Sequence, residues 1–319
     1  MSKSSSNKSL RFIDLFAGIG GFHLAFHRQG AECVYASEKD AFARKTYFEN
    51  FKKISPELFD GDLLGSPHFN DDITAVKNIA TEIKDHDILC AGFPCQPFSQ
   101  AGHKRGFNEE HEDRGNMFFW IRDILAAKRP KAFFLENVRH LENHDDGRTF
   151  DTIKQILTKE LNYTIYWKIV KASDYGLPQH RPRIFIIGFS NEYVYPEAFE
   201  FPEKKKLKFN MSDVWGGECS REIGFTLRVG GKGSGIDDRR NWDAYLVDGE
   251  IRRLGVEEGK MMMGFPKNYN FPVAKGQAMK QLGNSVAVNA IEAVAEQMVA
   301  YIATGKKKKQ LNDLKNHVF

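Results

Sequence analysis

The sequence predicts an α/β fold: an open sheet of buried strands with helices on its faces, followed by a smaller loop-rich or β domain. Three observations carry that expectation. Short apolar runs alternate with amphipathic helical patterns through the first 190 residues. Glycine-rich or acidic turns close several of those runs, at the sheet edge where open α/β sheets put their ligands. From about Ser190 the composition shifts to glycine, scattered basic residues and loops.

Leu10 to Phe16 reads as a first strand, Ala17-Gly18-Ile19-Gly20-Gly21 as a turn and Phe22 to Arg28 as a helix. Glycines let a backbone approach a ligand, and a helix start offers unpaired N–H groups, so this unit suits a nucleotide-like ligand. Many such turns are merely tight turns. His23 stands at the third glycine of the dinucleotide fingerprint, which argues against NAD or FAD. Ala31 to Ser37 is a second strand, and Glu38 after it is placed for a ribose hydroxyl pair. Residues 45–70 hold a helix and then a loop. Asp72, before a helical run from Ala75 to Lys84, reads either as a helix cap or as an acceptor for an adenine amino group.

Asp87 to Ala91 is a buried strand, ended by Gly92-Phe93-Pro94-Cys95-Gln96-Pro97-Phe98-Ser99. Free cysteines are mostly inert and buried, which suits Cys90 within the strand. Cys95 sits on a proline-bracketed turn at the strand's carboxyl end, as a nucleophile would. The long polar stretch from His103 to Gly115 reads as a lid. Asn116 to Lys128 is an amphipathic helix, and Lys131 to Leu135 a strand ending in Glu136-Asn137-Val138. A carboxylate closing an apolar strand is rarely there for packing. Phe150 to Leu161 reads as helix and Tyr163 to Val170 as strand. Gln179-His180-Arg181-Pro182-Arg183 then leads into a strand from Ile184 to Phe189. Residues 191–253 are loop-rich, and Val286 to Thr304 is a core helix.

The composition, 41% hydrophobic and 28% charged, is that of an ordinary globular protein, and no apolar run is long enough to span a membrane. Met1 to Ser9 lacks the apolar segment of a secretory signal. Cys33, Cys90, Cys95 and Cys219 have neither disulfide-framework nor zinc spacing, so no metal and a reducing cytoplasm are expected. A net charge of +4 does not by itself point to nucleic acid; clusters such as Arg239-Arg240 and Arg252-Arg253 matter more.

Five motifs occur in order: Asp14-Leu15-Phe16-Ala17-Gly18-Ile19-Gly20-Gly21, Gly92 to Ser99, Glu136-Asn137-Val138, Gln179 to Arg183, and Gln281-Leu282-Gly283-Asn284-Ser285-Val286. Over nearly its whole length the chain resembles the cytosine-C5 DNA methyltransferases, most of all the small bacterial enzymes of restriction–modification systems. The resemblance implies a Rossmann-like S-adenosylmethionine-dependent catalytic domain at 1–189, completed by 282–319, and a target-recognition domain at 190–281. It implies S-adenosylmethionine as methyl donor, cytosine in double-stranded DNA as acceptor, a monomer near the nucleoid and a cognate restriction endonuclease. Cys95 becomes the nucleophile, with Glu136, Arg181 and Arg183 holding the target base. Asp14, Phe16, Ala17, Gly18, Gly20, Gly21, Glu38, Asp72, Ile73, Pro94, Met117, Asn284 and Ser285 surround the cofactor. Gln96, Ser99, Lys104, Arg105, Thr226, Arg228, Lys232 and Arg240 are the DNA contacts. The chain departs from the family in having Asp71 where a glycine is usual and Met261 where an arginine is common; Asp62 is a second candidate for the adenine contact. The tRNA-modifying relatives carry a Cys-Phe-Thr segment that this sequence lacks.

Overall fold

The computed structural model describes residues 9–60, 66–94, 117–230 and 233–308. The chain runs β1 (Arg11–Leu15), α1 (Gly21–Arg28), β2 (Glu32–Ser37), α2 (Ala41–Phe51), β3 (Phe69–Asn70), α3 (Ile79–Glu82), β4 (Ile88–Gly92), α4 (Met117–Lys128), β5 (Ala132–Val138), α5 (Arg148–Gln155), β6 (Tyr163–Lys171) and β7 (Pro182–Ser190). Together the strands form one seven-stranded sheet in the order β3-β2-β1-β4-β5-β7-β6. Pairs from β3 to β5 are parallel, whereas β7 runs antiparallel to both its neighbours. This is a Rossmann-like α/β fold.

Alternation along each strand fills two layers, because successive side chains point to opposite faces. Phe12, Cys90, Phe134 and Ile187 join α1 and a late helix on one face. Ile13, Leu89, Phe133 and Ile186 join α4 and α5 on the other. With both faces covered, these strands carry near-continuous apolar runs, which is why they were legible. The chain steps outward from β1 to β2 and β3, then returns to β4. That reversal opens a crevice beyond the carboxyl ends of β1 and β4.

After β7 come β8 (Tyr193–Val194), α6 (Met211–Trp215), β9 (Ala244–Val247), β10 (Glu250–Arg253), α7 (Val256–Met263), α8 (Lys275–Asn284), α9 (Val288–Thr304) and β11 (Lys306–Lys307). β9 and β10 form a hairpin, and β8 pairs with β11. Leu227, Trp242, Tyr245, Tyr269 and Leu282 belong to the same apolar cluster as Phe12, so the loop-rich stretch packs onto the core of the sheet.

Two expectations need correction. The helical run from Ala75 to Lys84 is only a 3-10 turn at Ile73–Ala75 and the single turn α3. Asn78 caps α3 through Ala80 N–H, and Glu82 binds the N–H groups of Lys77 and Asn78, which closes the segment into a compact turn. Residues 254–281, expected within a loop-rich or β region, are mainly the helix α7 and most of the helix α8.

Candidate active site

The crevice holds a cavity of about 470 Å³. One wall is the glycine turn, with Phe16, Gly18 and Ile19; Glu38, Asp40 and Ala43 lie beside it. The opposite rim carries Gly92, Phe93, Pro94, Glu136, Asn137, Val138 and Arg183, and Lys280, Gln281, Gly283 and Asn284 close one side.

The glycine turn is shaped by backbone and packing. Phe16 and Gly18 adopt left-handed conformations (φ 54° and 56°), strain that a bulky residue keeps only where its surroundings fix it. A Cβ on Gly18 would meet nothing within 4 Å, so that face is open to a ligand. Gly20 and Gly21 do something else: a Cβ there would lie 2.2 Å from the Phe51 ring and 2.4 Å from Val286. They let α1 seat on α2 and on the segment before α9. Beneath the turn, His23 stacks on Phe51 at 4.0 Å and is hydrogen-bonded to Tyr47 (2.7 Å) and Ser55 (2.9 Å). Burial holds its ring neutral, its pKa well below 6.5. The Tyr269 hydroxyl donates to the Ile19 carbonyl.

Glu38 closes this wall. Its carboxylate accepts the N–H of Gly18 (2.7 Å) and of Asp40 (2.7 Å). Burial raises its pKa, and these two donors partly oppose the rise. Asp40 caps α2 and pairs with Lys280 at 2.9 Å, joining α2 to α8.

At the other rim, Gly92 of β4 stands in register with Glu136 of β5. Glu136 pairs with Arg183 Nε at 3.0 Å, both side chains being largely buried. Burial raises the Glu136 pKa even though Arg183 and Arg181 oppose it. A carboxyl so placed keeps its proton to higher pH than a solvated one and sits beside a fixed positive charge. Because β7 is antiparallel, its first residues lie at the carboxyl end of β5, and Val138 pairs with Arg183. Asn137 Nδ2 donates to the Phe93 carbonyl at 2.8 Å, fixing the chain two residues before Cys95.

A family model for C-5 cytosine-specific DNA methylases matches residues 10–228 and 220–300. The chain belongs to that family. It is 41% identical to the Type II methyltransferase M1.ScrFI of Lactococcus lactis subsp. cremoris, over 93% of this chain and 80% of that protein. Identity to M.HhaI of Haemophilus parahaemolyticus is 36%, over 92% and 95%. Among solved structures, a Spodoptera frugiperda DNMT2 triple mutant superposes with a TM-score of 0.67 at 20% identity, covering 92% of this chain and all of the other; that likeness speaks to the fold. The chain is thus a DNA (cytosine-5-)-methyltransferase, acting on cytosine C5.

Of the expected residues of this methyltransferase, Phe16, Gly18, Glu38, Pro94, Glu136, Arg183 and Asn284 meet around one cavity. Cys95, Gln96, Ser99, Lys104, Arg105, Lys232, Asp62 and the expected lid lie outside the described residues. Ala17 donates its N–H to the Ser37 carbonyl, Ile73 is buried under the sheet, and Met117 starts α4 against the same layer. Asp72 caps the 3-10 turn through Thr74 (2.9 Å) and pairs with Lys39 at 2.8 Å; of its two readings the cap is realised. Asp14 lies 1% exposed within the apolar layer, not on the cavity, and burial raises its pKa well above the usual range.

Arg181 requires the clearest correction. It is 2% exposed and donates to the carbonyls of Leu227 (3.2 Å), Gly283 (3.0 Å) and Ser285. Its place is between segments of backbone, not over a base. Thr226 is half-buried and Arg228 exposed. Arg240 is exposed and held by Asp238 through two contacts of 2.7 and 3.0 Å. Sequence reasoning missed Asn137, Tyr269, Lys280 and Gln281 as builders of the site. Asn137 and Gln281 lay inside quoted motifs, so their signal was present; that of Tyr269 was not.

Proposed function

We propose that this methyltransferase takes its methyl group from S-adenosylmethionine and places it on C5 of one cytosine within a short specific sequence of double-stranded DNA. It serves as the modification enzyme of a restriction–modification system, working as a monomer at the cytoplasmic nucleoid, with a cognate endonuclease acting on the same site. The observation that carries this reading is the Glu136–Arg183 pair on the rim facing the glycine turn.

The residues around the cavity fit the cofactor. Gly18 presents an open face, and Glu38, already gripping two backbone N–H groups, keeps lone pairs for ribose hydroxyls. Phe16, Pro94 and Asn284 complete the walls. When bound, S-adenosylmethionine supplies an electrophilic methyl group.

Cytosine C5 is a weak nucleophile and is hidden by stacking, so the base must rotate out of the duplex, at a cost of a few kcal/mol. The Cys95 thiolate adds to C6, which moves electron density toward C5. Glu136 donates its proton to N3 as that density builds, and the raised proton affinity of its carboxyl suits the task. Arg183 holds Glu136 in place and faces the base's O2. Methylated C5 then gives its proton to a water molecule, the C6–S bond breaks to release the Cys95 thiolate, and N3 returns its proton to Glu136. The recognition role falls to 190–281, with Thr226, Arg228, Lys232 and Arg240 reaching DNA and Gln96, Ser99, Lys104 and Arg105 contributing from the catalytic side.

Two measurements test this. DNA from cells expressing the chain should carry 5-methylcytosine in one short sequence; a lack of 5-methylcytosine would refute the assignment. Cys95→Ala should abolish methyl transfer and retain both DNA and cofactor binding, whereas loss of both would make Cys95 structural.

A further inference from the structure

Three segments far apart in sequence meet at the approach to β7. Gln179 is fully buried. Its side-chain carbonyl accepts Leu227 N–H at 3.0 Å, and its amide donates to the Met262 carbonyl at 3.0 Å. Backbone bonds extend this contact: Gly224 N–H donates to Pro178 (2.9 Å) and His180 N–H to Gly224 (3.0 Å). Two residues on, the Arg181 guanidinium reaches Leu227 with one nitrogen, and Gly283 and Ser285 with another. At Gly283 the two far segments also touch each other. A Cβ there would lie 2.7 Å from the Arg228 carbonyl oxygen, so only glycine allows the approach. Gly283 and Asn284 line the cavity, and Arg228 opens the exposed segment expected to read DNA.

A buried guanidinium serving three carbonyls is costly to desolvate and costly to lose, since removal strands the acceptors. Burial and the neighbouring Arg183 push its pKa down to about 9, which leaves it charged at neutral pH.

We propose that Arg181 is a positioning residue that makes the recognition segment beginning at Leu227 and the cofactor wall at Gly283–Ser285 one mechanical unit. Seating the correct duplex on Arg228 and its neighbours therefore fixes the cofactor wall, and a bound cofactor fixes the recognition segment in return. Coupling between sites is reciprocal, so either order of addition reports it. This inference rests on the function proposed above.

The test uses full-length enzyme, S-adenosylhomocysteine as the cofactor probe and the duplex sequence found by methylation mapping. Cofactor affinity is measured by calorimetry with no duplex, with that duplex and with one of scrambled sequence. Wild type should bind the probe about tenfold more tightly with the correct duplex, a typical coupling. Arg181→Lys keeps a charge but cannot span three carbonyls, and should reduce that ratio to below about threefold. A role confined to stability would lower the melting temperature and leave the ratio unchanged in the folded protein. An unchanged ratio in Arg181→Lys, or a ratio of one in wild type, overturns the inference. If Arg181→Lys does not fold, Gln179→Met, which frees Leu227 N–H and the Met262 carbonyl and leaves Arg181 in place, decides: a reduced ratio supports the coupling and a wild-type ratio refutes it. Wild-type protein that bound neither probe nor duplex would refute the proposed function itself.

Discussion

The two ends of the cavity are built by opposite means. At the glycine turn the shape comes from backbone: three left-handed residues, glycines pressed against Phe51 and Val286, and a neutral histidine beneath. At the acid end it comes from charge: Glu136 and Arg183 buried together, carried by strands of opposite direction. The first end can be damaged by adding one methyl group, the second by changing one atom of the same size. Shape set mainly by backbone suits the holding of a ligand; charge in a dry place suits the moving of a proton.

Four measurements can break or sharpen that contrast. Glu136→Gln changes chemistry and hardly any volume. It should lower the turnover number at least about 10²-fold, with cofactor affinity unchanged; single-turnover methylation assays check it, and wild-type rates would remove the proton from the acid end. Gly20→Ala adds one methyl at 2.2 Å from Phe51 in a left-handed backbone. Overpacking of this kind costs about 1–3 kcal/mol, and urea unfolding with cofactor titration should find both stability and cofactor affinity reduced.

The third measurement is pH. His23 is neutral when folded and takes up a proton once exposed, so the stability tied to it is present above about pH 6.5 and lost as pH falls below that. Glu136 has the opposite sign: its folded pKa is raised, so its contribution is complete below the unfolded value near 4.3 and declines as pH rises from there to the folded value. His23→Gln should therefore flatten the acid-side loss of stability, by up to about 1.4 kcal/mol per pH unit, in denaturant melts from pH 7 to pH 5. An unchanged slope would place the acid sensitivity elsewhere. The smallest effect belongs to neither end. Arg240→Ala should reduce the slope of log affinity for DNA against log salt by about 1 or less, with the turnover number unaltered; filter binding at several salt concentrations measures it.

Much of this was legible beforehand, for a physical reason. Strands buried on both faces are apolar throughout, so β1, β2, β4, β5 and β7 stood out, and so did the odd residues at their ends, Glu38 and Glu136. The helix α8 was not legible, because its ten residues include two glycines and two lysines. Arg181 was placed over the base with Arg183 only because the family resemblance implied it. The ladder of β7 begins only at Pro182. Arg181 therefore precedes it and turns to the carbonyls of other segments. Asp72 was assigned by analogy to a ligand that its local bond to Thr74 does not require.

The reversed direction of β7 has a consequence for how this chain can vary. A strand running with its neighbours would offer the crevice its end; this one offers its beginning, immediately after residues 172–181. A single insertion or deletion there would displace Gln179, Arg181 and Arg183 in one step, breaking their contacts to Leu227, Gly283 and Glu136 together.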